Sequence, residues 1–210
     1  MAEDGLTVDE QGCKRCWWCG DDPLYMDYHD HEWGRPVTDN VRLFEKICLE
    51  GFQAGLSWIT ILRKRENFRT AFDEFDFTKI VKYTESDVER LVKDAGIIRH
   101  RGKIESTINN AKRALELEIE FGSLAAYFWQ WQTPDEDRPT KNDYKSLSQI
   151  TMTEQSKAMS KDLKKRGWSF VGPTTAYAFM QAMGLVNDHH GECHVWSDIE
   201  KIRKNFTPPA

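Results

Sequence analysis

Features that would place a chain in a membrane, secreted or nucleotide-binding class are missing from this sequence. No apolar run approaches the ~18 to 20 residues that a membrane span needs. The first residues, MAEDGLTVDEQG, are acidic where a secretory signal is basic, and no apolar core follows them. We find no repeat, no glycine-rich phosphate-binding loop and no long alternating strand pattern. We therefore expect a cytoplasmic protein without a membrane-spanning segment.

An excess of positive charge is also missing, which argues mildly against a nucleic-acid partner. The net charge is −5 at pH 7 and the sequence pI is about 5.7. Basic residues are nevertheless clustered, within residues 63–65, 99–103 and 161–166. Such clusters are commonly solvated helix faces. Three of them beside helix boundaries or turns are also compatible with a discontinuous phosphate-binding face.

The pattern that is present is helical. Apolar residues recur at three- and four-residue spacing, and capping residues such as Asp39, Ser57 and Thr84 precede these stretches. The chain of 210 residues is long enough for a substantial core, and we predict an all-α, two-lobed fold. A polar loop at 132–150 is expected between the lobes. We expect a flexible acidic leader at 1–12, a single helical domain at 13–196 and a tail at 197–210.

One acidic residue, Glu50, stands in the otherwise apolar segment ICLEGF. An ionised carboxylate is rare in a buried position unless a charged or hydrogen-bonding group meets it. The surrounding sequence is rich in aromatic residues, namely Trp17, Trp18, Tyr25, Tyr28, Trp33 and Trp58. Core packing explains any single one of them. Aromatic faces around one carboxylate also suit a flat cationic ligand.

Histidine and cysteine near the end of the chain predict a metal site. His189 and Cys193 are four residues apart, which places both on one face of a helix or tight turn. Sulfur and imidazole together suit tetrahedral zinc. His190 and His194 stay open as alternative ligands, and ordinary buried cysteine and histidine are the simpler explanation.

The other half of the metal site is ambiguous from spacing. Cys13, Cys16 and Cys19 form two overlapping Cys-x2-Cys pairs, which compete with a pair made by Cys16 and His29. In a reducing compartment the five cysteines are expected to bind metal or to pack rather than to form disulfides. Cys48 lies in an apolar helical pattern and is most simply a core residue.

The segment GIIRHRG at 96–102 predicts a glycine-bounded hairpin between two amphipathic helices. A helix-hairpin-helix of this kind can direct backbone N–H groups at a DNA phosphate, and Arg99, Arg101 and Lys103 would add positive charge. Helical connections without any DNA contact are also common. The two glycines are further apart than in the usual hairpin of this class, so spacing leaves both interpretations open.

Four stretches resemble, closely and in order, the bacterial 3-methyladenine DNA glycosylase I family: CWWCGDDPLYMDYHDHEWG, LFEKICLEGFQAGLSWITILRKRENFR, DVERLVKDAGIIRHRGKI and FVGPTTAYAFMQAMGLVNDH. The resemblance covers roughly residues 16–193. It implies a helical fold of the helix-hairpin-helix superfamily with a zinc ion bound by Cys16, His29, His189 and Cys193. Four protein ligands leave no position for an activated water, so this zinc is expected to be structural and to join the two ends of the domain.

The resemblance also implies roles for the central residues. Glu50 is expected to read the base inside a pocket of aromatic side chains, namely Trp18, Tyr25, Tyr28, Trp33 and Trp58. Gly55 and Leu56 correspond to the segment that enters the duplex. In the hairpin, Arg99, Arg101, Gly102 and Lys103 are expected to contact the DNA backbone. The catalytic aspartate of the wider superfamily has no obvious counterpart here.

The implied reaction is hydrolytic excision of 3-methyladenine from alkylated double-stranded DNA, which leaves an abasic site and free 3-methyladenine. We identify no lysine positioned in the expected pocket to form a Schiff base, so we predict a monofunctional enzyme without lyase activity. We expect it to act as a monomer, away from membranes. The alternative from another class is a zinc-stabilised helical module that binds DNA without catalysis.

Overall fold

A computed structural model describes residues 4–209; residues 1–3 of the predicted leader and residue 210 of the predicted tail lie outside this range. The described chain is helical, which confirms the predicted fold class. Its α-helices are α1 (Pro23–His31), α2 (Asn40–Gln53), α3 (Trp58–Leu62), α4 (Arg65–Ala71), α5 (Phe77–Ile80), α6 (Glu85–Lys93), α7 (Arg101–Phe121), α8 (Leu124–Trp129), α9 (Tyr144–Leu147), α10 (Glu154–Lys165), α11 (Pro173–Ala182) and α12 (Trp196–Asn205). Three short 3-10 helices lie at Trp17–Cys19, Asp73–Phe75 and Asp135–Asp137.

Helix α2 connects the two parts of the fold. It packs against α3, α7 and α8, and also against α11. Helices α5, α6 and α7 pack together as one group, while α10 and α11 form another. The residues of α2 from Leu43 to Phe52 are all buried, so this helix contributes to a hydrophobic core shared by both groups. Burial on all sides makes α2 a rigid support for any side chain that it carries.

The predicted helix starts are largely confirmed. Asp39 accepts a hydrogen bond from the backbone N–H of Arg42 at the start of α2, and Thr84 forms a capping box with Asp87 before α6. Pro173 occupies the first turn of α11. The single helix predicted after Ser57 is instead divided into α3 and α4 at residues 63–64.

The ends of the chain join the fold at points that differ from the predicted boundaries. Leu6–Val8 forms a strand, β1, that pairs antiparallel with β2 (Lys14–Cys16), and Leu6 is buried. Residues 6–8 of the expected flexible leader are therefore hydrogen-bonded to residues 14–16 as an antiparallel strand, and the side chain of Leu6 is buried there. Helix α12 likewise crosses the expected boundary between domain and tail. Across the part of the chain described, no helix combines the length and apolarity that crossing a bilayer requires.

Candidate active site and metal centre

A cavity of about 450 Å³ lies beside the last turn of α2. Its lining includes Glu50 and every aromatic residue predicted for the pocket, namely Trp18, Tyr25, Tyr28, Trp33 and Trp58. Trp17, which is not among the residues expected in the pocket, also lines it. The structure thus brings together residues that are spread over 41 positions of sequence, from 18 to 58.

The position of Glu50 follows from the packing of α2. The helix runs two turns beyond Lys46, and Glu50 is only 5% exposed. Gly51 permits this arrangement, since a Cβ there would lie 3.2 Å from the Cβ of Phe170 on the loop before α11. The carboxylate is therefore held in the wall of the cavity by a helix that has little freedom to move.

The aromatic rings that line the cavity together with Glu50 are in contact with one another. The ring centroids of Trp18 and Trp33 are 4.8 Å apart, and those of Trp18 and Tyr25 are 5.2 Å apart. Tyr28 and Trp58 lie 5.5 Å apart on the side that carries α2 and α3. Tyr28, Trp33 and Trp58 are buried, while Trp18 and Tyr25 are half-buried. Rings arranged in this way offer several faces to a planar ligand.

A lysine that the sequence analysis did not identify, Lys46, also lines this cavity. Lys46 precedes Glu50 by one helical turn, and its Nζ lies 2.7 Å from Glu50 Oε1. The same ammonium donates to the Tyr28 hydroxyl at 2.8 Å and stands 3.1 Å from the ring centroid of Trp58. The four-residue spacing between Lys46 and Glu50 was the signal that could have revealed this pair.

The electrostatics of Lys46 reflect its burial. Loss of hydration lowers its pKa to about 8, against the opposing attraction of Glu50, which raises it. Arg65 lowers this pKa further, and Glu32 raises it. An ammonium in this position is therefore much more easily deprotonated than one on the protein surface.

A second acid that the sequence did not indicate, Asp188, also lines the cavity. Asp188 is 4% exposed, and one carboxylate oxygen accepts hydrogen bonds from the Tyr177 hydroxyl and from Gln181 at 2.8 Å. Its other oxygen, Oδ1, has no partner among the described residues. Burial raises the pKa of Asp188. The helical spacing of apolar residues did not indicate Asp188, because this residue lies in the irregular segment before the predicted metal ligand His189.

The predicted metal ligands converge at a second, buried centre. The ligand atoms of Cys16, His29, His189 and Cys193 all lie within 4.8 Å of one another. Cys193 Sγ is 3.5 Å from His29 Nε2 and 3.7 Å from His189 Nδ1, and Cys16 Sγ is also 3.7 Å from His189 Nδ1. Tetrahedral zinc with its usual bond lengths separates sulfur and nitrogen ligands by ~3.6 Å. The residues therefore fit a tetrahedral metal ion.

Surrounding groups orient these ligands. His29 Nδ1 lies 2.7 Å from Asp30 Oδ1, and His189 Nε2 lies 3.1 Å from the carbonyl oxygen of Trp33. Hydrogen bonds of this kind set the tautomer and the ring orientation of metal-binding histidines. Contact with Cys16, together with the two imidazoles, lowers the pKa of the Cys193 thiol well below its ordinary value. Cys193 is thus prepared to supply a thiolate, whereas burial and the neighbouring Cys193 raise the pKa of the Cys16 thiol. Burial lowers the pKa of His189, which favours a neutral imidazole.

The geometry separates the alternatives that spacing left open. Cys19 donates to the carbonyl oxygen of Cys16 at 3.2 Å and is outside the four-residue cluster, as is half-buried Cys13. His190 contributes its backbone N–H to Cys16 Sγ rather than its ring. His194 lies 2.9 Å from Asp30, beside the cluster. The four residues of the buried cluster are those that the family resemblance indicated.

The predicted hairpin consists of α6, the turn at 94–100 and α7. Arg99 is exposed and forms no ion pair within residues 4–209. Arg101 is paired with Glu85 at 2.7 Å and also with Glu89, and Gly102 lies in the first turn of α7. Lys103 does not face outward with the arginines. It is buried, and its Nζ bonds to the carbonyl oxygens of Phe52 and Ala54.

The turn after α2 carries the other two residues predicted to contact DNA. Gly55 has φ +82°, a conformation that glycine adopts without strain. Leu56 follows it and is 42% exposed, an unusual state for a leucine next to a buried helix. The turn therefore presents an apolar side chain to solvent at the end of the helix that carries Glu50.

Comparison with known proteins identifies a family and close relatives of this chain. The sequence model of the methyladenine glycosylase family matches residues 18–196. The chain is 54% identical over 181 residues to DNA-3-methyladenine glycosylase 1 of Escherichia coli K12, covering 86% of this chain and 95% of that protein. It is 51% identical over 180 residues to DNA-3-methyladenine glycosylase of Haemophilus influenzae, covering 85% and 96%.

Solved structures agree with the sequence comparison. A crystal structure of 3-methyladenine DNA glycosylase I aligns with a TM-score of 0.79 at 50% identity, covering 86% of this chain and 98% of that one. The Staphylococcus aureus enzyme, described for its recognition of 3-methyladenine, aligns with a TM-score of 0.78 at 36% identity, covering 84% and 93%. The chain therefore belongs to the methyladenine glycosylase family.

Proposed function

We propose that this protein excises 3-methyladenine from alkylated double-stranded DNA by hydrolysing the N-glycosidic bond. One observation carries the proposal above all: a buried carboxylate, Glu50, lies in an aromatic cavity large enough for a purine. Family membership supports the same conclusion, since the relatives at 54% and 51% identity are named as DNA-3-methyladenine glycosylases.

The chemistry suits such a pocket. Methylation at N3 makes the purine cationic, so the base is already a good leaving group. Extruding it from the duplex costs a few kcal/mol, least for a damaged base. Aromatic stacking contributes ~1 to 3 kcal/mol per base, and cation–π attraction favours the charged form. The protein's main task is therefore to recognise and hold the extruded base.

Glu50 has two roles in this proposal. Its carboxylate accepts a hydrogen bond from the exocyclic amino group, and its charge favours the cationic base over neutral adenine. As the bond between C1′ and N9 breaks, its electron pair stays on N9 and the base leaves as a neutral molecule. Water adds to C1′ and loses a proton, which leaves an abasic site.

We propose that the metal bound by Cys16, His29, His189 and Cys193 is zinc and that its role is structural. All four tetrahedral positions are taken by protein atoms, so the ion has none left for a reacting water. It joins β2 and α1 to the segment before α12. In this way it holds Tyr28 and Trp33, neighbours of the ligands in sequence and space, against the cavity.

Hydrolysis without strand cleavage remains our proposal, although Lys46 lies in the pocket. A lyase needs an unprotonated amine within reach of C1′, and the protonation state of the amine alone is not sufficient. The Nζ of Lys46 is instead directed at Glu50 and the Trp58 ring, deep in the base cavity. The presence or absence of strand breaks after the reaction tests this proposal directly.

We further propose that a single copy of the chain acts on duplex DNA in the cytoplasm. The cavity is lined by residues of a single chain, so a monomer contains all the groups that this proposal needs. None of the five cysteines forms a disulfide, as a reducing compartment favours. Arg99 and Leu56, both exposed, supply a charged and an apolar contact for the duplex.

The decisive experiment measures release of free 3-methyladenine from methylated duplex DNA. Glu50→Gln keeps the shape of the side chain but removes its charge, and we expect excision to fall roughly ten- to a hundredfold with the fold intact. Glu66→Gln, at an exposed position of α4, is the matched control and should be as active as the wild type. Binding of the DNA without release of the base would favour the non-catalytic DNA-binding module.

A further inference from the structure

The ammonium of Lys46 stands where a cationic base is expected to bind. It lies 3.1 Å from the centroid of the Trp58 ring and 2.7 Å from Glu50 Oε1. These are the two contacts that a cationic purine needs from this pocket, namely an aromatic face and a carboxylate. Two cations do not share this position, because the cavity wall is buried and their repulsion is poorly screened there.

We propose that Lys46 is a resident cation that exchanges with the alkylated base. When the cationic base enters, Lys46 gives up its contact with Trp58 and Glu50 and releases one proton to solvent. When the base becomes neutral after bond cleavage, Lys46 takes up a proton again, restores the ion pair and displaces the product. This inference rests on the proposed function, because it assumes that the base binds between Trp58 and Glu50.

The surroundings of Lys46 favour loss of its proton on binding. Burial already lowers its pKa to about 8, and Glu50 is the main group that opposes this effect. A bound cation would occupy Glu50 and add a second positive charge nearby, and both changes lower the pKa of Lys46 further. The ionisable groups that line the base cavity with Lys46 and Glu50 are Tyr25 and Tyr28 of α1, Tyr144 of α9 and Asp188 after α11. The second cavity that Lys46 lines adds His31, Glu32, Arg35, Arg42, Glu45 and Arg65.

The structure also provides room for the displaced side chain. Lys46 lines a second cavity of about 170 Å³, on which Glu32, Arg65 and Trp58 also border. A neutral amine at the end of a flexible four-carbon chain can turn into this space without carrying a charge into it. The exchange therefore requires a change of side-chain rotamer and no movement of α2.

Cleavage of the glycosidic bond reverses the change in charge that occurred on binding. The electron pair of the C1′–N9 bond neutralises the base, so Glu50 is left facing a neutral ligand. A buried carboxylate without a cationic partner is unfavourable, and the nearby amine of Lys46 regains a proton from solvent. The restored ion pair occupies the carboxylate and the Trp58 face, which weakens binding of the product.

The test uses a permanently cationic probe, 3,9-dimethyladeninium, in which the N9 methyl group stands for the sugar carbon. Neutral 9-methyladenine is its control. Wild-type affinity for the cation should rise about tenfold per pH unit well below pH 8 and level off above it, because binding releases one proton. Affinity for 9-methyladenine should lack this rise. Calorimetry in two buffers of different ionisation enthalpy should show release of about one proton with the cation at pH 6.5.

Two variants of Lys46 should act in opposite directions. Lys46→Met keeps the length of the side chain without a charge, and at pH 6 it should bind the cation roughly 100-fold more tightly than wild type, with little pH dependence. Lys46→Arg carries a charge that cannot be removed, so it should bind the cation more weakly at every pH. Because both variants keep the surrounding ionisable groups, their difference from the wild type isolates Lys46.

The possible results separate this inference from the function on which it rests. If the wild type binds the cation without pH dependence or proton release, Lys46 does not exchange with the base, and this holds even if the variants fold poorly. Weaker binding by both variants would mean that Lys46 only positions Glu50. If the wild type fails to prefer the cation over 9-methyladenine, the proposed base-binding site itself is wrong.

Discussion

The Nζ of Lys103 lies 2.6 Å from the carbonyl oxygen of Ala54, and it bonds to the carbonyl oxygen of Phe52 as well. This contact joins the first turn of α7, next to the hairpin, to the end of α2. The helix that carries Glu50, the turn with Leu56 and the hairpin are therefore one connected unit. A lysine predicted to meet a DNA phosphate instead fixes the geometry of the surface that would meet the DNA.

Removing this contact should reduce stability. Lys103→Met keeps most of the buried side chain but leaves the carbonyl groups of Phe52 and Ala54 without their charged donor. We expect the free energy of unfolding to fall by ~1.5 to 3 kcal/mol in urea titrations. Lys112→Met, at an exposed position of the same helix, should change it little. Unchanged stability with weaker DNA binding and a smaller salt dependence would instead restore Lys103 as a phosphate ligand.

The two arginines of the hairpin should differ in their effect on DNA binding. Arg99 is exposed and unpaired within residues 4–209, so Arg99→Ala should weaken binding to all duplexes. The slope of the logarithm of the binding constant against the logarithm of the salt concentration should become smaller in magnitude by ~0.9. Arg101 is already paired with Glu85 and Glu89, so Arg101→Ala should have the smaller effect. Titrations of undamaged and methylated duplexes at several salt concentrations measure both. A loss confined to methylated DNA would contradict a backbone contact.

The metal centre should matter for stability more than for selectivity. Elemental analysis should find about one zinc per chain. In a sample where free zinc exceeds its Kd a thousandfold, zinc binding contributes about 4 kcal/mol to the free energy of unfolding. Removing the zinc with a chelator should lower the free energy of unfolding by that amount. Cys16→Ser should reproduce this loss, whereas Cys13→Ser, outside the buried cluster, should not. Full stability of the chelated protein would show that the four residues do not bind a structural ion.

Acid should destabilise the protein partly through Glu32. Burial raises the pKa of this carboxyl, but two hydrogen bonds from Arg65, at 2.7 and 2.8 Å, outweigh it and leave the pKa below its ordinary value of 4.5. The stabilisation by ionised Glu32 is fully present above pH 4.5, the ordinary pKa of this carboxyl. It is lost as the pH falls through the lower pKa that Glu32 has in the folded protein. Unfolding free energies measured from pH 7 to 3 should therefore decline less steeply for Glu32→Gln. Equal slopes for both proteins would contradict this assignment.

Local patterns predicted the helices well and the irregular contacts poorly. The spacing of apolar residues and the capping side chains around Asp39 and Thr84 predicted where α2 and α6 begin, because these signals act within one or two helical turns. The strand at Leu6–Val8 was missed since three residues provide too little alternation to detect. Its partner strand, Lys14–Cys16, was equally short.

The sequence by itself determined the helical fold class, the aromatic pocket around Glu50 and, through family resemblance, the choice of Cys16 and His29 over the competing cysteine pairs. Only the tertiary structure showed that Lys46 and Asp188 line the pocket and that Lys103 bonds to the end of α2. Helical periodicity assigns a residue to one side of its own helix. What a long charged side chain meets there depends on other elements: Lys46 meets Tyr28 and Trp58, and Lys103 meets backbone groups 49 to 51 positions earlier in the chain. Asp188 lies in an irregular segment, to which no helical period applies.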